Sequence, residues 1–221
     1  MRYYIESDGR LYLVRRDGLL DLPRKDEIPF PIEEIAPLAG DVPLIFCVPR
    51  LAAHPRQWPG KDEVQDRSDA SPAVRAAVHA TMPRVVVEGI ALREGKVLLV
   101  KGSRGLNEGR WSLPGGFLRF GETPEEGVLR EVEEEVGSPA RIERLLALKA
   151  RLGPKSRLHW IMALFEVTLT GELAPDPDEI AAVEYVPLAQ AVELVTDDLM
   201  KETIAALIRE GATAGPPQSG G

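Results

Sequence analysis

The carboxylates between Gly116 and Ser138 are the residues most able to do chemistry. This stretch, GFLRFGETPEEGVLREVEEEVGS, sets seven glutamates against Arg119 and Arg130, a balance of −5 in a chain whose net charge is −8. Like charges three and four residues apart on a helix repel, so such a cluster calls for a cation. At about 100° per residue, Val128, Leu129, Val132 and Val136 share one helix face, and Glu131, Glu134 and Glu135 share the adjoining arc. Gly127 falls on that arc one turn earlier, where the lack of a side chain leaves room for a ligand. Glu126 and Glu133 point elsewhere, toward solvent. Three carboxylates converging at i, i+3 and i+4 make an oxygen-only site, suited to a hard divalent cation, Mg²⁺ or Mn²⁺, that keeps waters and takes substrate phosphates. Arg130 precedes Glu134 by four residues and pairs with it. A solvated acidic face is the competing reading. The approach Leu113-Pro114-Gly115-Gly116 weighs against it, because it brings bare backbone, including the Gly116 carbonyl, to the carboxylates.

The helix that must carry them is well specified. Thr123 is its N-cap, Pro124 its first residue, and Glu126 completes a T-x-x-E capping box. Gly137 supplies the left-handed C′ position, and Pro139 prevents continuation. Upstream, RVVVEGIAL and KVLLVK form a hairpin through Arg93-Glu94-Gly95, and the loop GSRGLNEGR leads to Trp111. Downstream, strands are expected at Ile142–Leu152, His159–Leu169 and Val183–Val186, then helices at Leu188–Val195 and Asp198–Arg209.

Gly116, then Glu122 after five residues, then after seven more Arg130-Glu131-Val132-x-Glu134-Glu135-x-Gly137, resembles the signature of the Nudix hydrolases, GX5EX7REUXEEXGU, where U is apolar. The pattern departs only at its last position, where Ser138 replaces an apolar residue and weakens one packing contact after the helix. The resemblance covers residues 84 to 210. It implies an α/β class, an α/β/α sandwich around a mixed central sheet, preceded here by a small N-terminal β-rich region. It also implies hydrolysis of a nucleoside diphosphate linked to another moiety, with Mg²⁺, or Mn²⁺, as cofactor. Carried over residue by residue, Glu134 and Glu135 are metal ligands, Glu131 a ligand or general base, and the Gly116 carbonyl a further ligand. Glu122 and Arg130 orient the ligand face. Divalent ions neutralise a pyrophosphate, position it and lower the pKa of an attacking water.

Glu179, in the loop APDPDEI, stands where many members carry an acidic residue, and is the candidate base from outside the motif. Glu166, within IMALFEVTL, is a second candidate, set against the reading of an outward-facing strand residue. Lys101, Arg104 and Arg110 flank the loop bordering the cleft and are candidates for substrate phosphates, Arg being suited to bidentate contacts. Trp111 is expected to pack beneath the loop rather than to stack on a base. Pro154, sixteen residues past the motif, occupies a position where ADP-ribose-cleaving members often have proline, which favours ADP-ribose or a related compound. The alternative function is a non-catalytic nucleotide-binding sensor, although such members usually lose motif glutamates and all are present here.

The remaining chain is organised as residues 1–80, a β-rich region and linker; 81–210, the hydrolase domain; and 211–221, a tail with nothing apolar to bury, expected to be disordered. RYYIES, RLYLVRR and LLDLP form a meander turned at Asp8-Gly9 and Asp17-Gly18. A helical turn is expected at Ile32–Ile35, a strand at Leu44–Val48, a connector from Pro49 to Pro72, and a helix at Pro72–Ala80 capped by Ser71. The domain boundary falls at 60 to 83. The meander also suits an interaction or dimerisation unit, so a homodimer is compatible with the sequence.

The 44% hydrophobic and 28% charged residues describe a globular chain. No apolar run nears the roughly 18 residues of a membrane span, and the N-terminus lacks a secretory signal's basic start and apolar stretch. A cytoplasmic location and no membrane partner are expected. The acidic balance argues against a nucleic-acid polymer as partner and leaves a small-molecule nucleotide substrate. Cys47, the single cysteine, reads as a buried small hydrophobe. His54, His79 and His159 have no metal-ligand spacing.

Overall fold

The computed structural model describes residues 1–39, 43–53, 55–104 and 107–211, so the tail expected to be disordered lies, beyond Gly211, outside the described residues, as does His54. The chain divides into two compact units, one of Met1–Arg84 with Arg151–Trp160 and one of Val85–Ala150 with Ile161 onward. The region expected as one piece over 81–210 thus lends residues 151–160 to the first unit.

In the first unit, strands β1 (Arg2–Ser7), β2 (Arg10–Tyr12), β3 (Val14–Arg16) and β4 (Leu19–Asp21) form two hairpins where a continuous meander is expected. Their turns fall at Asp8-Gly9 and Asp17-Gly18, all four residues with positive φ, as tight hairpin turns require. The run RLYLVRR divides between two sheets, however: β3 pairs only with β4, whereas β1 and β2 join β5 (Ile32–Pro37) and β6 (Leu44–Pro49) in the order β2-β1-β6-β5. The helical turn expected at Ile32–Ile35 is therefore strand. Its register against β6, Ile32 opposite Pro49 and Glu34 opposite Cys47, supplies backbone hydrogen bonds that local periodicity does not reveal. The connector holds a short helix, α1 (Lys61–Asp66), whose Val64 is fully buried. Helix α2 (Pro72–Thr81) starts as expected, with Ser71 Oγ accepting from Val74 N. Cys47 is buried.

The second unit is built on a sheet of order β11-β12-β7-β8-β13. Its strands are β7 (Arg84–Arg93), β8 (Lys96–Gly102), β9 (Trp111–Ser112), β10 (Gly115–Phe117), β11 (Ala140–Leu152), β12 (His159–Leu169) and β13 (Ile180–Pro187). Strand β10 pairs with β7, and β9 with β8. Four consecutive residues of β8, Val97 to Val100, are buried, so both faces of the sheet are covered. Helix α3 (Pro124–Val136) covers one, with Val128, Val132 and Val136 in a core shared with Val87, Leu98, Phe165 and Val167. Fully burying each valine contributes roughly 1.5–3 kcal/mol before entropy is counted. Helices α4 (Leu188–Leu194) and α5 (Asp198–Arg209) provide the remaining helical layer. Together these elements form the α/β/α sandwich that the resemblance implies.

Both ends of α3 follow the sequence. Thr123 and Glu126 form the reciprocal capping box, and Gly137 has φ 71°, where an added Cβ would lie 1.9 Å from the Ala174 carbonyl oxygen. Ser138 is fully buried and accepts a hydrogen bond from Gly171 N at 3.1 Å. A polar anchor has replaced the apolar contact. Among the described residues no helix is long and apolar enough to cross a membrane.

Candidate active site

The strand pair β7–β10 and helix α3 position the predicted residues. Gly115 lies opposite Glu88 and Gly116 opposite Val87, which brings β10 alongside the first strand of the hairpin. A Cβ on Gly116 would lie 2.7 Å from all three carboxyl atoms of Glu131, so only a bare backbone lets that carboxylate approach. Glu135 reaches the first residue of the same short strand, accepting from Gly115 N at 2.8 Å.

Arg130 organises the adjoining carboxylates. Its side chain, 16% exposed, donates through Nε and a terminal nitrogen to both oxygens of Glu122, at 2.7 and 2.9 Å. It also donates to Glu131 at 2.7 Å, to Glu134 at 3.0 Å and to the Phe117 carbonyl at 3.1 Å. The bidentate pair and the backbone contact tie the helix to the preceding loop. Arg119 adds a backbone N–H to Glu122 and a guanidinium contact, at 3.0 Å, to Glu134.

These contacts separate the carboxylates electrostatically. Arg130, followed by the Arg119 N–H, holds Glu122 down at about 2. Burial pushes Glu131 up, opposed by its bond from Arg130. Glu135 is pushed up to about 8, chiefly by burial, with the Gly115 N–H opposing and the charges of Glu131, Glu179 and Glu134 adding to the rise. Glu134, 41% exposed, is shared between Arg119 and Arg130.

The convergence of Glu131, Glu134 and Glu135 on one spot is not realised as the side chains stand. Among the described residues no group of three or more His, Cys, Asp or Glu side chains is set to hold a metal ion. Arg130 draws Glu131 and Glu134 toward the loop, while Glu135 turns to Gly115. The donor set nonetheless fits a hard divalent cation. It is made of oxygens, it crowds the bare backbone at Gly116, and it includes a buried carboxylate oxygen with no partner, Oε2 of Glu88. Gly127 does not make room for a ligand: a Cβ there would lie 2.8 Å from Leu118 Cδ1 and 3.3 Å from Val87 Cγ2, so the position serves packing.

Glu179 lies close enough to raise Glu135, forms an ion pair with Arg104, and accepts from Ser103 N through its backbone carbonyl at 2.8 Å. Lys101 stands 6.0 Å above the Trp111 ring, and Trp111 is half-buried at the end of that loop. Arg110 is exposed on the same loop. Glu166 is held by Arg144 of the neighbouring strand at 2.8 Å, the outward-facing arrangement rather than a base aimed at the site. An open groove of about 360 Å³ lies at the Arg93 end of β7, lined by Arg93, Thr168, Glu172 and Tyr185, and contains none of the motif residues. Pro154 sits in the turn between β11 and β12, within the first unit.

Sequence reasoning missed Glu88 and the part Arg119 plays. The available signal for Glu88 was one charged residue inside the apolar run RVVVEGIAL.

Fold and site together define a hydrolase of the Nudix class. The NUDIX domain model matches residues 82–209, and the chain belongs to that family. It is 33% identical over 115 residues to the "ADP-ribose pyrophosphatase" of Methanocaldococcus jannaschii, covering 52% of this chain and 68% of that protein. It is 42% identical over 66 residues to the "Putative ADP-ribose pyrophosphatase YjhB" of Bacillus subtilis, covering 30% of each. Among solved structures, the "NUDIX hydrolase from Nitrosomonas europaea" aligns with a TM-score of 0.51 at 21% identity, covering 58% of this chain and 90% of that one, a likeness of fold.

Proposed function

We propose that this enzyme hydrolyses the pyrophosphate bond of ADP-ribose, or of a closely related nucleoside diphosphate derivative, with Mg²⁺ as the resident cation. One observation carries the substrate class: the 33% identity, over 115 residues, to a protein named an ADP-ribose pyrophosphatase. The complete set of motif glutamates supports turnover rather than sensing.

Glu131, Glu134 and Glu135, with the Gly116 carbonyl, would hold the cation in this reading. When bound, the cation neutralises pyrophosphate charge and lowers the pKa of a coordinated water. Arg130 keeps the glutamates in register through Glu122 and stabilises the site while it is metal-free. Lys101, Arg104 and Arg110 take the substrate's phosphates, and a phosphate engaging Arg104 releases Glu179 from its ion pair. Glu179 then accepts the proton of the attacking water as general base. A bond forms between that water's oxygen and phosphorus as the bridging P–O bond breaks. Hydrolysis of ADP-ribose accordingly yields AMP and ribose 5-phosphate.

A panel of dinucleotide-like substrates assayed with and without Mg²⁺ tests the reading. Mg²⁺-dependent release of a nucleoside monophosphate, abolished in Glu134→Gln, is expected. Binding without turnover across the panel would refute it.

A further inference from the structure

Among the described residues of the second unit, Glu88 is the one buried carboxylate with a sealed oxygen that no hydrogen bond satisfies. It lies in β7, within an otherwise apolar run, and only 5% of its surface is exposed. Its Oε2 is sealed from solvent and has no hydrogen-bond partner. A buried carboxylate without a partner is strongly destabilising, and an apolar residue would pack better in such a strand.

The surroundings indicate what partner is missing. Glu88 is registered opposite Gly115, and a Cβ on Gly115 would lie 3.0 Å from Glu88 Oε2. The backbone N–H of that same glycine donates to Glu135. Two carboxylates thus gather on one glycine, one from the central strand and one from α3. The charges acting on Glu88 are those of Glu135, Asp197 and Glu131, all negative, and burial keeps its carboxyl well above the usual range. Asp197 acts on it from the N-cap of α5, where it accepts from Leu199 N and Met200 N. No cationic side chain is among the groups acting on it. The pattern is that of a cation site, seen from the sheet side.

We propose that Glu88 is a further ligand of the divalent-cation centre, supplying an oxygen from β7 to the ion held by Glu135. The inference rests on the reading of the motif glutamates as a metal site. It adds a donor from outside the motif, on the strand rather than the helix.

Mn²⁺ provides the probe, its binding to the full-length protein followed by electron paramagnetic resonance of the free ion and by the cation-induced rise in melting temperature. Glu88→Gln keeps the shape without the charge. Glu88→Val suits a buried strand and guards against loss of fold. Both variants are expected to melt at or above the parent without metal, because a buried acid is gone. Both are expected to bind Mn²⁺ at least about tenfold more weakly and to show a smaller cation-induced rise. Glu135→Gln is the reference. If it loses affinity while both Glu88 variants bind Mn²⁺ as the parent does, the assignment of Glu88 is overturned and the motif site stands. If Glu135→Gln also binds as the parent does, the metal reading itself fails, and the role of Glu88 with it.

Discussion

Replacing Glu135 by Gln should stabilise the metal-free protein, and increasingly so as the pH rises. Burial lifts this carboxyl from the ordinary 4.5 to about 8, while Gly115 N–H holds it in place. Glutamine retains an oxygen for that N–H and removes the ionisation. The sign follows from proton counting. Between pH 4.5 and 8 the unfolded chain has lost the proton that the folded chain retains, so folding stability is full below 4.5 and declines until the folded carboxyl ionises near 8. At about 1.4 kcal/mol per pH unit, the decline amounts to on the order of 5 kcal/mol for a fully independent group. Sharing the field of Glu131 and Glu134 lowers it, to roughly 2–4 kcal/mol by the same constant. Urea denaturation in EDTA at pH 5, 6.5 and 8 provides the assay. The parent should lose stability across the series, and Glu135→Gln should lose clearly less because that ionisation is gone, though not nothing, since Glu88 and Glu131 still titrate in it. With saturating Mg²⁺ the order should invert at pH 8, since the ion binds only the ionised carboxylate. Parallel pH curves for the two proteins would refute the assignment of Glu135 as a buried, charge-starved acid.

Other perturbations follow from the same geometry. Gly116→Ala places a methyl about where the Glu131 carboxyl now sits, so kcat should fall about 10–100-fold with an unchanged circular dichroism spectrum, as when a metal centre's support is disturbed. Arg130→Lys cannot reproduce the bidentate grip on Glu122 together with the contacts to Glu131 and Glu134. A loss of about 1.5–3 kcal/mol in chemical denaturation is expected, the range of hydrogen bonds to charged groups. Ser138→Val restores the family's apolar pattern yet removes the acceptor for Gly171 N, and should destabilise by roughly 1–3 kcal/mol by the same measurement. Glu166→Gln disrupts a pair whose arginine is well exposed, so steady-state kinetics should not change and stability should fall by less than about 1 kcal/mol.

What the sequence disclosed depended on how local the determining forces were. Helix α3 was legible from end to end because Thr123, Pro124, Glu126 and Gly137 act within one turn of where they stand. The i, i+4 spacing likewise paired Arg130 with Glu134, a contact the structure contains. Ile32–Ile35 was misread because its identity as strand comes from pairing with β6, a partner remote in sequence. Gly127 was misread for a related reason: helix geometry places it on the glutamate arc, but only tertiary packing puts Leu118 above it. Glu88 was hidden because whether a strand is buried on both faces depends on layers that local periodicity cannot assign. The three carboxylates do share one side of α3, yet their orientation follows Arg130, Arg119 and Gly115 N. Helical spacing determines which residues neighbour one another, whereas side-chain partners decide where each carboxylate points.

The most direct measurement of the central claim is chromatographic quantitation of the products formed from ADP-ribose by the parent enzyme and by Glu134→Gln, each with Mg²⁺ and with EDTA. AMP and ribose 5-phosphate in equal amounts, formed by the parent with Mg²⁺ alone and reduced at least about a hundredfold in the variant, is the predicted result. Equal rates in parent and variant, or product formation that persists in EDTA, would contradict it.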